Sequence, residues 1–306
     1  MQSEKISLPD PVQNISIPLL LSCPVCHEQL TNLGRIYQCP KGHTFDIAKQ
    51  GYVNLLLAHQ RKSKQPGDSK EMILSRAHFL NQGYYQPISE KVNEAAMACF
   101  VTGHHSDSGT ILDIGCGEGY YLSRLHEAFV SHPLYQGACH HFIGLDISKA
   151  AIHEATRRNK HITWIIASVA SLPLLDASCS LLLNIFAPIN VSEFTRVLEP
   201  HGKLILVTPG PSHLYELRTL LYKDVVENKQ EDVLDRTKDF FTVSQCEHVT
   251  FDISLANASD IMSLYRMTPF FWKTSPEAHA RVEQLETLKT HADVFVRTLQ
   301  KQGTRT

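Results

Sequence analysis

The spacing of apolar positions changes character along the chain. From Lys70 to Phe79, and again from Ile88 to Phe100, apolar residues recur at helical intervals and predict two helices leading into a larger unit. Beyond them, short apolar runs alternate with helical stretches. The run opening at Ile111, then Phe142–Asp146, Ile162–Ile166, Leu181–Phe186 and Lys203–Val207 read as buried strands. Ser148 is placed to cap a helix running through Asn159, Val191–Leu198 reads as a further helix, and Pro200-His201-Gly202 turns into the fifth strand. This alternation predicts an α/β fold with a doubly wound sheet, whose ligands lie beyond the carboxyl ends of the strands.

Ahead of Lys70 the pattern breaks down into short segments. Residues 1–20, with Pro9, Pro11 and Pro18 and no periodicity, predict a flexible leader, and Gln65-Pro66-Gly67-Asp68 reads as a boundary turn. The expected organisation is a leader over 1–20, a small module over 21–60, a linker with lead-in helices over 61–105, and a large domain over 106–306.

The first strand ends in Asp113 and is followed by Gly115, Gly117 and Gly119 at alternate positions. Such a sequence demands a strand that stops, a turn whose backbone closely approaches a ligand, and a helix that begins where the ligand sits. The nicotinamide fingerprint G-x-G-x-x-G/A is broken in both registers, by Tyr120 and by Leu122. An acid two residues before the first glycine resembles instead the D-x-G-x-G-x-G loop of S-adenosylmethionine (SAM) methyltransferases, within a Rossmann-like class I fold. Asp146, ending the second strand, can accept both ribose hydroxyls of such a cofactor; taken alone it could equally cap the following helix. Ser168 follows the third strand, where related enzymes often hold the adenine amino group with an acid, so that contact is less defined.

The fourth strand ends Asn184-Ile185-Phe186-Ala187-Pro188. It contains neither the Pro-Cys nucleophile expected for methylation of pyrimidine carbon nor the Asn/Asp-Pro-Pro-aromatic turn usual for exocyclic amines, and Cys179 follows Ser178. What remains is in-line transfer to a heteroatom, with no covalent intermediate.

Composition adds bounds. With 43% hydrophobic residues in 306, the chain suffices for one large domain plus a small one. No apolar run reaches membrane-spanning length and no signal-peptide order opens the chain, so no membrane partner and a cytoplasmic location are expected. In a reducing compartment the 8 cysteines read as metal ligands or buried thiols before disulfides. Charge is unevenly placed. Residues 21–70 hold seven Lys/Arg against three Asp/Glu, a balance of +4 in a chain of net −2, as a polyanion-binding attachment would.

Cys23, Cys26, Cys39 and His43 form C-x2-C-x12-C-x3-H, a spacing that brings three thiolates and an imidazole to the corners of a tetrahedron around zinc. A closed four-ligand site is structural: the metal folds the module and performs no chemistry. His27 is a competing ligand because it directly follows Cys26. Arg35, Lys41, Lys49 and Arg61-Lys62-Ser63-Lys64 are candidates for phosphate contact. Tyr37, Phe45 and Tyr52 are candidates for base stacking or, more simply, for packing.

These residues resemble the bacterial 23S rRNA guanine-N1 methyltransferases of the RlmA type. The resemblance runs from Cys23 to near the C-terminus through the zinc ligands, Phe45-Asp46-Ile47-Ala48-Lys49 with Gly51-Tyr52-Val53-Asn54-Leu55, and Pro66-Gly67-Asp68-Ser69. It continues through Gly83-Tyr84-Tyr85-Gln86-Pro87, the glycine loop, Thr208-Pro209-Gly210-Pro211-Ser212-His213-Leu214 and Met267-Thr268-Pro269-Phe270-Phe271-Trp272. It implies SAM and structural Zn2+ as cofactors, N1 of a guanosine in a 23S rRNA hairpin as acceptor, a zinc module that helps to choose the RNA, and a homodimer. It carries cofactor contacts to Tyr85, Gly117, Glu118 and His213. The acceptor base must leave its stack for a pocket with aromatic walls, for which Phe186, Phe270 and Trp272 are the candidates. The sequence names no group to remove the N1 proton. Two other readings stay open at this stage. One is a SAM-dependent enzyme acting on a small molecule or protein with a purely structural zinc module; the other is a catalytically idle zinc RNA-binding protein.

Overall fold

A computed structural model of the chain describes residues 20–60, 66–101, 108–135, 138–222 and 231–303. The leader, apart from Leu20, and the basic cluster at 61–64 lie outside these described residues.

The front module contributes β1 (Thr31–Asn32), β2 (Ile36–Gln38) and β3 (Thr44–Asp46), an antiparallel sheet in the order β1-β2-β3. After it come β4 (Tyr52–Asn54) and the lead-in helices α1 (Lys70–Asn81) and α2 (Gln86–Val101). The main body follows with β5 (Ser108–Ile114), α3 (Tyr120–Ser131), β6 (Cys139–Asp146), α4 (Lys149–Arg158), β7 (Thr163–Ile166), β8 (Cys179–Ile185), α5 (Val191–Val197) and β9 (Leu198–Pro209). It closes with α6 (Tyr215–Leu221), α7 (Glu231–Thr237), β10 (Phe241–Leu255), α8 (Ala258–Met267), α9 (Pro276–Glu283) and β11 (Leu288–Lys301).

One sheet of 8 strands runs in the order β10-β11-β9-β8-β5-β6-β7-β4. β4, β7, β6, β5, β8 and β9 are mutually parallel, while β11 is antiparallel to β9 and β10 to β11. The order reverses at β5, whose neighbours β6 and β8 lie on opposite sides of it, so a crevice opens beyond its carboxyl end. Side-chain alternation on β5 explains why helices cover both faces. Ile111 packs with Val92, Phe100, Leu122 and Leu125 on one face, and Leu112 and Ile114 pack with Phe194 and Val197 on the other.

The strands and helices read from periodicity are present, with ends moved by a few residues. Capping fixes two of the helices: Ser69 Oγ accepts the Met72 amide at the start of α1, and Ser148 Oγ accepts that of Ala151 at the start of α4. Two features were not legible. β10 and β11 form a long antiparallel pair, and β10 is exposed along much of its length, so it lacks the continuous apolar run of a central strand. β4, from the front module, is the other edge of the main sheet, with Tyr52, Val53 and Asn54 in register with Trp164, Ile165 and Ile166. The module is joined further where the Ser22 amide donates to Pro173 O at 3.0 Å and Leu21 bridges to Leu174. Leu21, Cys23, Leu30, Tyr37 and Cys39 share a core with Leu112, Ile114 and Ile143.

Candidate functional site

In the front module, Cys23 and Cys26 flank a tight turn closed by the His27 amide donating to Cys23 O, and Cys39 and His43 flank a second closed by the Gly42 amide donating to Cys39 O. The hairpin β1-β2 separates them. Their ligand atoms all lie within 4.8 Å of one another: Cys26 Sγ to Cys39 Sγ is 3.6 Å, Cys39 Sγ to His43 Nδ1 3.3 Å and Cys23 Sγ to His43 Nδ1 3.6 Å. A tetrahedron with sulfur about 2.3 Å and nitrogen about 2.0 Å from its centre has edges of roughly 3.5–3.8 Å, so the donor set fits zinc. Backbone amides of Val25 and Cys26 face the Cys23 sulfur, and those of His43 and Lys41 face the Cys39 sulfur, as thiolates require. Burial raises Cys23; at Cys39 burial is outweighed by those amides and by its Cys26 and His43 neighbours, which bring the thiol down to about 6. His27 is exposed and does not belong to the cluster. Tyr37 is buried in the core that Phe45 packs against, and Tyr52 is buried in the other core of the main sheet, so these rings serve packing.

The second site surrounds the loop between β5 and α3. Gly115, Gly117 and Gly119 all adopt positive φ, at 74°, 56° and 81°. The amides of Gly115 and Cys116 both donate to Leu145 O, which ties the loop to β6. At the end of β6, Asp146 Oδ2 accepts the Gly117 amide at 3.0 Å and Oδ1 accepts the Ser148 amide at 2.7 Å. Asp146 therefore caps the loop and the start of α4 together, with its carboxylate at the crevice. Asp113 is buried beneath the loop, where burial and the charges of Asp146 and Glu118 push it up to about 8. Glu118 is also buried; its carboxylate pairs with Arg158 at 3.1 Å, and Arg158 Nε donates to Glu118 O. Ser168 is buried at the start of the turn after β7, its Oγ accepting the Ala170 amide at 3.2 Å.

Two residues singled out through the resemblance meet across 128 positions of sequence, for Tyr85 Oη lies 3.1 Å from His213 Nε2. The Asp293 amide donates to His213 Nδ1 at 3.2 Å, and burial lowers the imidazole to about 4. In the neutral ring Nδ1 is thus the acceptor, and we assign the proton to Nε2, which donates to Tyr85 Oη. That leaves the tyrosine's own proton for a second acceptor. Phe186 completes the group, its ring 5.9 Å from that of His213 and 6.3 Å from that of Tyr85. Phe186 is 42% exposed and has φ of 53°, a left-handed backbone that a bulky residue rarely adopts and that marks local strain.

The three residues assigned to a base pocket are not joined by ring contacts. Phe270 packs against Tyr222, while Trp272, 59% exposed, stacks edge-on against Phe271 and donates to Met72 Sδ at 2.8 Å. Cys179 is fully buried at the start of β8, and burial pushes its thiol up to about 12, so it is no nucleophile.

Four residues escaped the sequence reading. Tyr121 Oη is buried among the described residues without a hydrogen-bond partner beside the loop. Asp293, buried on β11, accepts the Ser212 amide at 2.7 Å and holds the turn carrying His213. Arg76 overhangs Gly117 and pairs with Asp68 at 2.6 Å. Tyr121 and Asp68 lie in motifs that carried the resemblance, whereas nothing local marked Arg76 or Asp293.

SAM fits this second site: a glycine cradle held open by positive φ, a carboxylate at the end of the neighbouring strand, and, on the residue after Tyr120 at the start of α3, a buried hydroxyl without a hydrogen-bond partner. Sheet order, crevice and cradle define a class I SAM-dependent methyltransferase that carries a structural zinc ribbon. Residues 21–64 match the zinc-ribbon family described as "RlmA, N-terminal", and residues 111–202 match a methyltransferase domain. The 23S rRNA (guanine(748)-N(1))-methyltransferase of Streptomyces fradiae is 33% identical over 263 residues, covering 85% of this chain and 89% of its own. The chain belongs to the family of 23S rRNA (guanine-N1-)-methyltransferases. Two other relatives are putative 23S rRNA (guanine-N(1)-)-methyltransferases. That of Micromonospora griseorubida is 35% identical over 84% of this chain and 88% of its own, and YxjB of Bacillus subtilis is 30% identical over 90% and 94%.

Proposed function

We propose that the chain transfers the methyl group of SAM to N1 of a guanosine in a hairpin loop of 23S rRNA. The observation that carries this reading is the extent of the relatives' identity, 30–35% over 84–90% of the chain, which takes in ribbon, lead-in helices and sheet together. In the same reading the ribbon over 21–60 helps to select the RNA, the stretch over 61–105 links it to the cofactor site, and residues 106–306 perform the transfer. The chain works in the cytoplasm as a homodimer; no helix among the described residues is long and apolar enough to cross a membrane.

Cys23, Cys26, Cys39 and His43 hold the zinc. Tyr85, Asp113, Gly115, Gly117, Glu118, Gly119, Asp146 and His213 form the cofactor site. Asp146 supports the ribose hydroxyls; Glu118, whose carboxylate is committed to Arg158, contributes its backbone; and Tyr85 holds the methyl-bearing end with His213 behind it. When bound, SAM supplies an electrophilic methyl group. The chain's own task is to keep acceptor and donor in line and to exclude water. Phe186 is the wall on which the unstacked guanine rests, with Phe270 and Trp272 contacting flanking nucleotides.

The test incubates the zinc-loaded protein with methyl-labelled SAM and either unmodified 23S rRNA or a cell extract freed of nucleic acid. Label in the RNA supports the proposal. Label appearing only in protein or small molecules contradicts it, as does RNA binding that does not weaken steeply with added salt.

A further inference from the structure

Arg76 stands over the cofactor loop, and the cofactor contacts assigned above do not include it. The segment before it is docked: Ser148 Oγ donates to Asp68 O at 2.9 Å, and the position of a Cβ on Gly67 would lie 2.9 Å from Ile147 and from Ser148 side-chain atoms. The start of α1 is thereby pinned against the turn after β6. From there Arg76 Nη1 reaches to 3.3 Å from the point a Cβ on Gly117 would occupy. Its head lies in the crevice beyond β5 and β6.

The surroundings are acidic. Glu118 is buried at the loop and Asp146 closes it, and Arg76 feels the charges of both. Glu118 is already paired with Arg158, and Asp146 is held by two amides. The direct partner of Arg76 is Asp68, in a pair whose side chains remain 25% and 35% exposed and are free to exchange. SAM carries two positive groups, which this acidic ring suits, and one carboxylate, which it repels. A carboxylate can enter only beside a cation that no buried acid has claimed. The buried, unpartnered hydroxyl of Tyr121 lies close enough to feel the charge of Arg76 and marks the same space as one that awaits a polar ligand.

We propose that Arg76 binds the α-carboxylate of the methionine half of SAM, exchanging or sharing Asp68 as it does so, and thereby makes the site select the intact amino acid over decarboxylated analogues. A guanidinium presents two parallel N–H donors to a carboxylate, a geometry that lysine does not reproduce. This proposal rests on the chain being SAM-dependent.

The test is calorimetric and needs no turnover. Zinc-loaded protein is titrated with S-adenosylhomocysteine and with its decarboxylated analogue, S-adenosyl-3-thiopropylamine. The wild type prefers the first by about tenfold to hundredfold, the worth of one charge-assisted pair. Arg76→Gln loses that factor for S-adenosylhomocysteine while binding the analogue as before, and Arg76→Lys recovers part of it. A preference that survives in Arg76→Gln, or an equal loss for both ligands, overturns the proposal. Should Arg76→Gln not fold, Asp68→Asn decides the matter: freeing the guanidinium raises affinity for S-adenosylhomocysteine alone, and an equal change for both ligands overturns it. A wild type that binds both ligands equally sinks the role of Arg76 only, whereas one that binds neither sinks the SAM reading and this proposal with it.

Discussion

Asp113 is an acid placed where charge is costly: it is buried, and Asp146 and Glu118 stand nearby. Its folded pKa, about 8, lies above the unfolded value of about 3.9, so the folded state holds a proton that the unfolded chain has released across that interval. The sign follows directly. The contribution to stability is fully present below about pH 4 and is lost progressively as pH rises toward 8, at no more than about 1.4 kcal/mol per pH unit. Asp113→Asn, which imitates the protonated acid, should lack this slope. Thermal unfolding without cofactor from pH 5 to 8 is therefore expected to show the variant gaining on the wild type as pH rises. A constant difference between the two would contradict the assignment. At this scale the sequence disclosed the acid, the glycines and the zinc ligands, because each is a residue type in a tight local spacing. It did not disclose Arg76 or Asp293, whose meaning depends on what lies across the crevice.

Among the elements, the loop between β5 and α3 discriminates between its own glycines. A Cβ on Gly119, at φ of 81°, would come within 2.6 Å of the Trp164 ring and 3.1 Å of Ala155, both rigidly packed. A Cβ on Gly117 would meet only the end of the flexible Arg76 side chain, at 3.3 Å. Backbone strain costs about 1–2 kcal/mol in either case, and overpacking adds about 1–3 kcal/mol at Gly119 alone. Gly119→Ala should therefore lower the melting temperature well beyond Gly117→Ala, whose larger effect falls on S-adenosylhomocysteine affinity. Equal melting temperatures would show that Trp164 yields. Periodicity was enough to find the central strands and their helices, since burial on both faces leaves uninterrupted apolar runs such as Cys179–Ile185. Edges were harder. The segment Tyr52–Asn54 is too short to announce itself, and it owes its strand to pairing with Trp164–Ile166.

At the scale of the molecule, the zinc ribbon and the methyltransferase sheet share a core and one edge strand, so the metal supports more than its own module. Cys23 and Cys39 pack in the cluster that contains Leu112 and Ile114 of β5, and the Leu55 amide donates to Ile166 O at 2.9 Å beside the turn that carries Ser168. Chelation should lower the principal unfolding transition by several degrees, each kcal/mol being worth roughly 2–4 °C in a chain of this size. It should also weaken S-adenosylhomocysteine binding. An unfolding transition and an affinity both indifferent to zinc would mean that the ribbon is an independent appendage. Composition had separated a basic front module from the rest and did not reveal how closely the two are joined.

The central claim is the acceptor, N1 of a guanosine in 23S rRNA, and it is tested most directly by primer extension. Unmodified 23S rRNA is incubated with the zinc-loaded protein and SAM and then copied by reverse transcriptase, since a methyl group on N1 blocks Watson–Crick pairing. One new stop, immediately before a hairpin guanosine and absent when SAM is omitted, is the predicted result. RNA that acquires label but gives no such stop would contradict it.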